Sequence, residues 1–136
     1  MALSQGKNPT FDTLRVNAVT LSPDDSESSL NVVPEGATAV RLAANVNGVN
    51  DFVVLPSLAK VPTGHTVTIV AGAANCEVRT PSGSGEEINS EDCDGTKEYL
   101  LTATQVHRFT KIDDTIGWMG QGYTAIGAVA TAVVPD

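Results

Sequence analysis

The residues of this chain best equipped for chemistry are two cysteines, two histidines and a run of carboxylates. Cys76 and Cys93 do not make a metal site by themselves. A tetrahedral centre needs four ligands, and the other nitrogen candidates, His65 and His107, lie far off with no ligand-like spacing. A disulfide is the second reading. The "SGSG" at 82–85 falls near the middle of the 76–93 segment, so a hairpin there would bring the two cysteines near each other. Closing that segment would contribute on the order of 3 kcal/mol if unstrained. A cytoplasmic product keeps its thiols reduced, so a bridge would form only after release from the cell. Both states stand as candidates.

Glu86, Glu87, Glu91, Asp92 and Asp94, followed by Gly95, put oxygen ligands close in sequence, as Ca²⁺ requires. The twelve-residue register with its closing Glu is missing, and a solvated acidic loop explains the same residues. His65 follows Gly64 at a strand start and reads as a surface residue. His107, beside Arg108 and Phe109 on an alternating strand, needs no special role. Neither histidine accompanies a recognisable Ser or Cys nucleophile. The glycines of "PSGSGEE" and "GWMGQGYT" do not precede a helix, so no phosphate cradle is implied. No enzyme, cofactor or metal is expected. Trp118 and Tyr123 are the candidates for a glycan platform, since carbohydrate sites use aromatic faces. A single Trp in a Val-rich sandwich also serves to fill space between sheets, and the two roles compete for Trp118.

The elements that would position these residues are short strands. "TLRVNAVTL" (13–21) alternates, with Leu14, Val16 and Ala18 on one face and Thr13, Arg15 and Asn17 on the other. "SPDDSESS" (22–29) has the Pro/Asp/Ser composition of a linker. Residues 1–29 therefore read as an arm carrying one strand, and 30–136 as the body. In the body, "LNVV", "TAVRLAANV", "FVVL", "TVTIVAG", "CEVRTP", "EEIN", "EYLLTA", "HRFTKI", "IGWMG" and "AIGAVATAVV" are strand candidates separated by turn residues. Asn47-Gly48 is a tight-turn signal, and "LPSLAKV" has room for one helical turn. Strands of this length and spacing predict an all-β fold, a jelly-roll-like β-sandwich or small barrel with an extended N-terminal arm.

Composition agrees. A chain of 136 residues is long enough for an independent core, and its 41% apolar share is Val-, Ala-, Leu- and Ile-rich with only 4% aromatics. The charged fraction of 18% argues against a helical bundle. A net charge of −8, with the eight basic residues spread singly, disfavours nucleic acid and anionic membranes as partners. The first residues lack an apolar stretch behind a basic patch, so no signal peptide is read. The run "AIGAVATAVV" is about half a membrane-spanning length. The product is expected to be soluble and made in a cytoplasm.

The order of elements over 51–119 resembles small β domains of tailed-bacteriophage virion proteins. The residues that carry the likeness are Gly64 before Val67 and Ile69, then Gly85, Ile88 and Asn89, then Tyr99 and Leu101, and finally Trp118. The group includes capsid decoration (cement) proteins and head- or tail-fibre modules. About half the chain is covered; the arm and the cysteines are not. The resemblance implies a non-enzymatic virion protein, made in the host cytoplasm, that decorates and stabilises a capsid. Its partner would be the major capsid protein lattice, and it would act as a homo-oligomer, a trimer. A β-competent arm suits strand addition to a neighbour, which makes Phe11, Leu14, Val16 and Val19 the expected attachment residues. The competing reading has this strand complete its own sandwich. The alternative function is a fibre or receptor-binding module that recognises host surface glycans through Trp118 and Tyr123.

Overall fold

The computed structural model describes residues 17–43, 51–95 and 97–123. Ten strands and one 3₁₀ turn make up these segments. The strands are β1 (Asn17–Leu21), β2 (Ala37–Leu42), β3 (Phe52–Val54), β4 (Thr66–Val70), β5 (Cys76–Arg79), β6 (Glu87–Ile88), β7 (Glu91–Asp92), β8 (Tyr99–Leu101), β9 (Val106–Asp113) and β10 (Gly117–Tyr123). The 3₁₀ turn, Leu58–Lys60, occupies the place where "LPSLAKV" had room for one. A seven-stranded sheet runs β1-β2-β4-β9-β10-β6-β7, and a three-stranded sheet runs β3-β5-β8. The fold is all-β, consistent with a sandwich.

Period-two patterning explains which side of each strand is buried. In β4, Val67 and Ile69 point inward and are fully enclosed, while Thr66 and Thr68 are half-buried. In β9, His107, Phe109 and Lys111 point inward and Arg108 and Ile112 outward. β3 breaks the pattern, because all three of its residues are buried. One of its edges pairs with β5, and the other is covered by bridges from Asp24 and Val32. A strand covered on all sides reads as a continuous apolar run, which is what "FVVL" is.

Several neighbours are parallel, namely β1 with β2, β2 with β4, β3 with β5 and β10 with β6. Parallel pairing needs a long connection rather than a tight turn, so it leaves no hairpin signature in the sequence. The β6–β7 hairpin does have one. Asn89 and Ser90 both hold positive φ, 54° and 68°, the conformation that a two-residue turn of primed type demands and that Asn tolerates. Asn89 then uses its side chain as a piece of strand. Its Nδ2 donates to Gly120 O at 3.2 Å and its Oδ1 accepts from Gly120 N at 2.8 Å, extending the short β6–β10 pairing.

The two sheets meet through aromatic rings. Tyr99 of β8 packs edge-on against Phe109 and His107 of β9, with centroids 4.8 and 5.4 Å apart. Gly120 and Gly122 of β10 make room for these rings. A Cβ on Gly120 would lie 2.8 Å from Tyr99 Cε2, and one on Gly122 would lie 2.5 Å from His107 Cε1. Trp118, Ile88, Leu101 and Val78 complete the core at zero exposure. Each such fully buried apolar side chain stabilises by roughly 1.5–3 kcal/mol.

The described part of the arm, residues 17–29, is joined to the domain. Among the described residues β1 forms one edge of the large sheet and pairs with β2 alone. Ser22 N donates to Leu30 O, and Asp24 exchanges backbone hydrogen bonds with Phe52. Alternation placed Ala18 on the apolar face, but Ala18 is exposed, while Leu21 is buried and Val19 packs against the core. The pairing slips between Asn17 and Ala18, skipping Thr38 on the partner strand. The inward residues of β1 are Val19 and Leu21. Phe11, Leu14 and Val16, the Asn47-Gly48 turn and "AIGAVATAVV" lie outside the described residues.

Candidate functional site

The reactive side chains are placed for structure. The hairpin expected at "SGSG" does not form, because β5 joins the small sheet and β6 and β7 the large one. Thr80 N donates to Cys93 O at 2.9 Å, which puts Cys93 four residues along the chain from Cys76. That is about 13 Å of extended strand, beyond the roughly 7 Å Cα separation a disulfide tolerates. Both cysteines are free and buried. Burial pushes the Cys76 thiol up to about 12 and the Cys93 thiol up to about 11, with neighbouring carboxylates adding to both. Neither is a nucleophile at neutral pH.

The acidic run is spread over separate tasks. Glu86 Oε1 accepts from Ser57 Oγ at 2.9 Å and from Leu58 N at 3.1 Å, holding the start of the 3₁₀ turn. Asp94 Oδ2 accepts from Gly85 N, and Asp92 Oδ1 from Asp94 N. Glu91 pairs with Lys97. Among the described residues no three His, Cys, Asp or Glu side chains converge in a way that could hold a metal ion.

His107 lies in a buried polar chain that strand alternation alone did not single out. Tyr99 Oη donates to His107 Nδ1 at 2.8 Å, and His107 Nε2 donates to Gln105 Oε1 at 2.9 Å. Burial lowers the imidazole to about 4 and raises the Tyr99 phenol to about 12. The ring is thus neutral, with its proton on Nε2. His65 is half-buried and meets Trp118 edge to face at 6.5 Å.

Trp118 is wholly enclosed, so it presents no face on which a sugar could stack. Tyr123 is half-buried, with the Arg108 guanidinium 5.9 Å above its ring. The two aromatic candidates therefore do not come together as a platform.

What the surface does offer is an outward patch at the hairpin end of β9 and β10. Ile112, Ile116 and Met119 are 37%, 44% and 44% exposed. A shallow depression of about 440 Å³ opens beside Met119 and Ile112, edged by Arg108, Thr110 and Gln121. The frame under it is a continuous strand ladder. Seven β9–β10 register pairs run from Gly117↔Asp113 to Tyr123↔Val106. Asp113 closes the hairpin by accepting from Thr115 N at 2.8 Å and Ile116 N at 2.6 Å. Those two bonds, Ile116's first, hold its carboxyl below the usual range. The sequence signal for this patch was present in "HRFTKI" and "GWMGQ", where alternation turns Ile112 and Met119 away from the core.

Among the described residues no helix is long and apolar enough to cross a membrane. No family model matches this chain, and no curated protein matches it.

Proposed function

We propose that this chain is a non-enzymatic structural protein of a bacteriophage virion, a cement protein that binds the capsid lattice as a symmetric oligomer. The observation that carries the reading is the division of labour among its polar residues. The buried titratable side chains serve packing and internal hydrogen bonds, while the outer face of β9 and β10 presents Ile112 and Met119, and the turn between them Ile116, to solvent. Contiguous exposed apolar groups rimmed by polar ones mark binding surfaces. The resemblance over 51–119 supplies the partner, and a patch of this modest size suits a lattice, where repetition by symmetry multiplies weak contacts into avidity.

The test is co-sedimentation of the full chain with expanded heads of the phage whose genome encodes it. Saturable binding at a fixed number of copies per capsid is the expected result. No association with heads, expanded or unexpanded, would overturn the reading.

A further inference from the structure

A second concavity, an apolar groove of about 500 Å³, lies away from the β9–β10 face. Val32, Val54 and Leu55 form its floor and Pro34, Pro56 and Pro81 its walls. Glu27, Glu35 and Lys60 stand on its rim, with Lys60 paired to Glu35 at 3.5 Å.

The described chain begins at the mouth of this groove. Asn17 pairs with Ala37, and its Nδ2 donates to Gly36 O at 3.2 Å. Pro34 and Glu35, the two residues before Gly36, are groove residues. Since β1 and β2 run parallel, the N-terminal end of β1 lies on the side of residues 34–36, which is the groove side. Six extended residues cover about 20 Å, enough to run along a cleft of this size. The six before Asn17, "FDTLRV", supply Phe11, Leu14 and Val16 for an apolar floor.

We propose that the groove is the docking site for the N-terminal segment Phe11–Val16 of the same chain. Tethering at Asn17 makes the contact intramolecular, so a modest apolar affinity suffices at the high effective concentration a short connection provides. The same segment carries the residues suited to strand addition, and the groove shields them until a partner competes for them. This holds whether or not the outer-face partner is a capsid.

Thiol labelling of the full-length chain tests it. Val32→Cys places one half-buried thiol in the groove, while Cys76 and Cys93 stay silent in the folded protein and report on folding. A bulky maleimide should react with Val32→Cys about tenfold more slowly than with the same variant also carrying Phe11→Asp and Leu14→Asp, at every protein concentration. Equal rates would overturn the proposal. Protection that grows with protein concentration would also overturn it, by assigning the groove to a second copy. Trypsin cleavage after Arg15 gives an independent reading with an unaltered groove. Cleavage should be slow in the native chain and fast in the Phe11→Asp, Leu14→Asp variant, and equal cleavage would count against the dock.

Discussion

Lys111 and Glu86 hold opposite ends of the same 3₁₀ turn. The Lys111 ammonium, on a side chain only 5% exposed, donates to Leu58 O at 2.6 Å and Val61 O at 2.9 Å. Glu86 meets Leu58 N and Ser57 Oγ at the other end. A cation on carbonyls and a carboxylate on an N–H follow the polarity of the turn. Asp114 closes the charge balance on Lys111 at 2.6 Å. The chain between β3 and β4 is thereby fastened to β9 and to the start of β6.

Removing the lysine should therefore cost more than removing the charge of the glutamate. Lys111→Met removes the ammonium from Val61 O and from Leu58 O, which keeps only a 3.4 Å bond from Val61 N, a loss of about 3 kcal/mol. Glu86→Gln keeps an oxygen acceptor for Leu58 N and Ser57 Oγ, and its cost should stay below about 1 kcal/mol. Denaturant midpoints of the two variants at neutral pH check the ranking. Equal losses would mean that the turn is held by packing of Leu58 alone.

The Tyr99–His107–Gln105 chain predicts a pH dependence with a definite sign. The folded imidazole titrates at about 4, whereas an unfolded one titrates near 6.5. Between these values the unfolded chain binds the extra proton, so stability rises with pH across this window. The contribution is complete above about 6.5 and is lost as pH falls toward 4, by an amount on the order of 2 kcal/mol once partial relaxation around the ring is allowed for. Urea unfolding of the wild type and of His107→Gln at pH 7 and pH 4.5 isolates the term from that of the carboxylates. The gap between the two proteins should narrow on acidification, and a constant gap would refute the assignment.

Gly120 and Gly122 should resist replacement because side-chain rings fill the space a methyl would need, as should Gly117, whose φ is +81° and whose Cβ would lie 2.6 Å from Glu87 O. A methyl on Gly122 would overlap the His107 ring, with atoms at 2.5 and 2.9 Å, and one on Gly120 would press on Tyr99 and Phe109 at 2.8 and 2.9 Å. Overpacking of this kind costs about 1–3 kcal/mol per site. Gly120→Ala and Gly122→Ala should each lower the thermal midpoint. His107→Ala should partly rescue Gly122→Ala and leave Gly120→Ala uncorrected, which a double-mutant cycle reads directly.

Much of the fold was legible because it rests on period-two alternation. β4 and β9 announce themselves through "TVTIV" and "HRFTKI", and β3 through its unbroken run of apolar residues. What alternation does not carry is the partner of each strand. The "SGSG" turn looked like a hairpin because it lies midway between two strand-like segments, but β5 and β6 part into different sheets, so the cysteines end up far apart. Ala18 shows the other weakness, since alternation gives two faces but not which of them is inward, and Val19 and Leu21 set the phase of β1. The polar contacts were hidden for a related reason. Lys111 falls on the inward face of β9 by simple counting, yet its partners are backbone carbonyls of residues 58 and 61, and no spacing rule finds those. Glu86 was one of five neighbouring acids until the fold set it against the 3₁₀ turn.

The outer patch separates binding from stability. Ile112 and Met119 point into solvent from a hairpin held by seven register pairs and by the Asp113 side chain, so little packing depends on them. Ile112→Asp with Met119→Asp should change stability by no more than about 0.5 kcal/mol, the range usual for surface positions. If the chain binds capsid heads and does so through this face, the same protein should bind them at least tenfold more weakly, since two carboxylates would replace the apolar contact and be desolvated on docking. Lys60→Ala, on an exposed side chain whose only recorded ion pair among the described residues is the 3.5 Å contact with Glu35, serves as the control and should bind as the wild type does. Unimpaired binding by the double variant would move the interface off β9 and β10 altogether. The next strand to probe would then be β1, whose outer edge pairs with no other strand among the described residues.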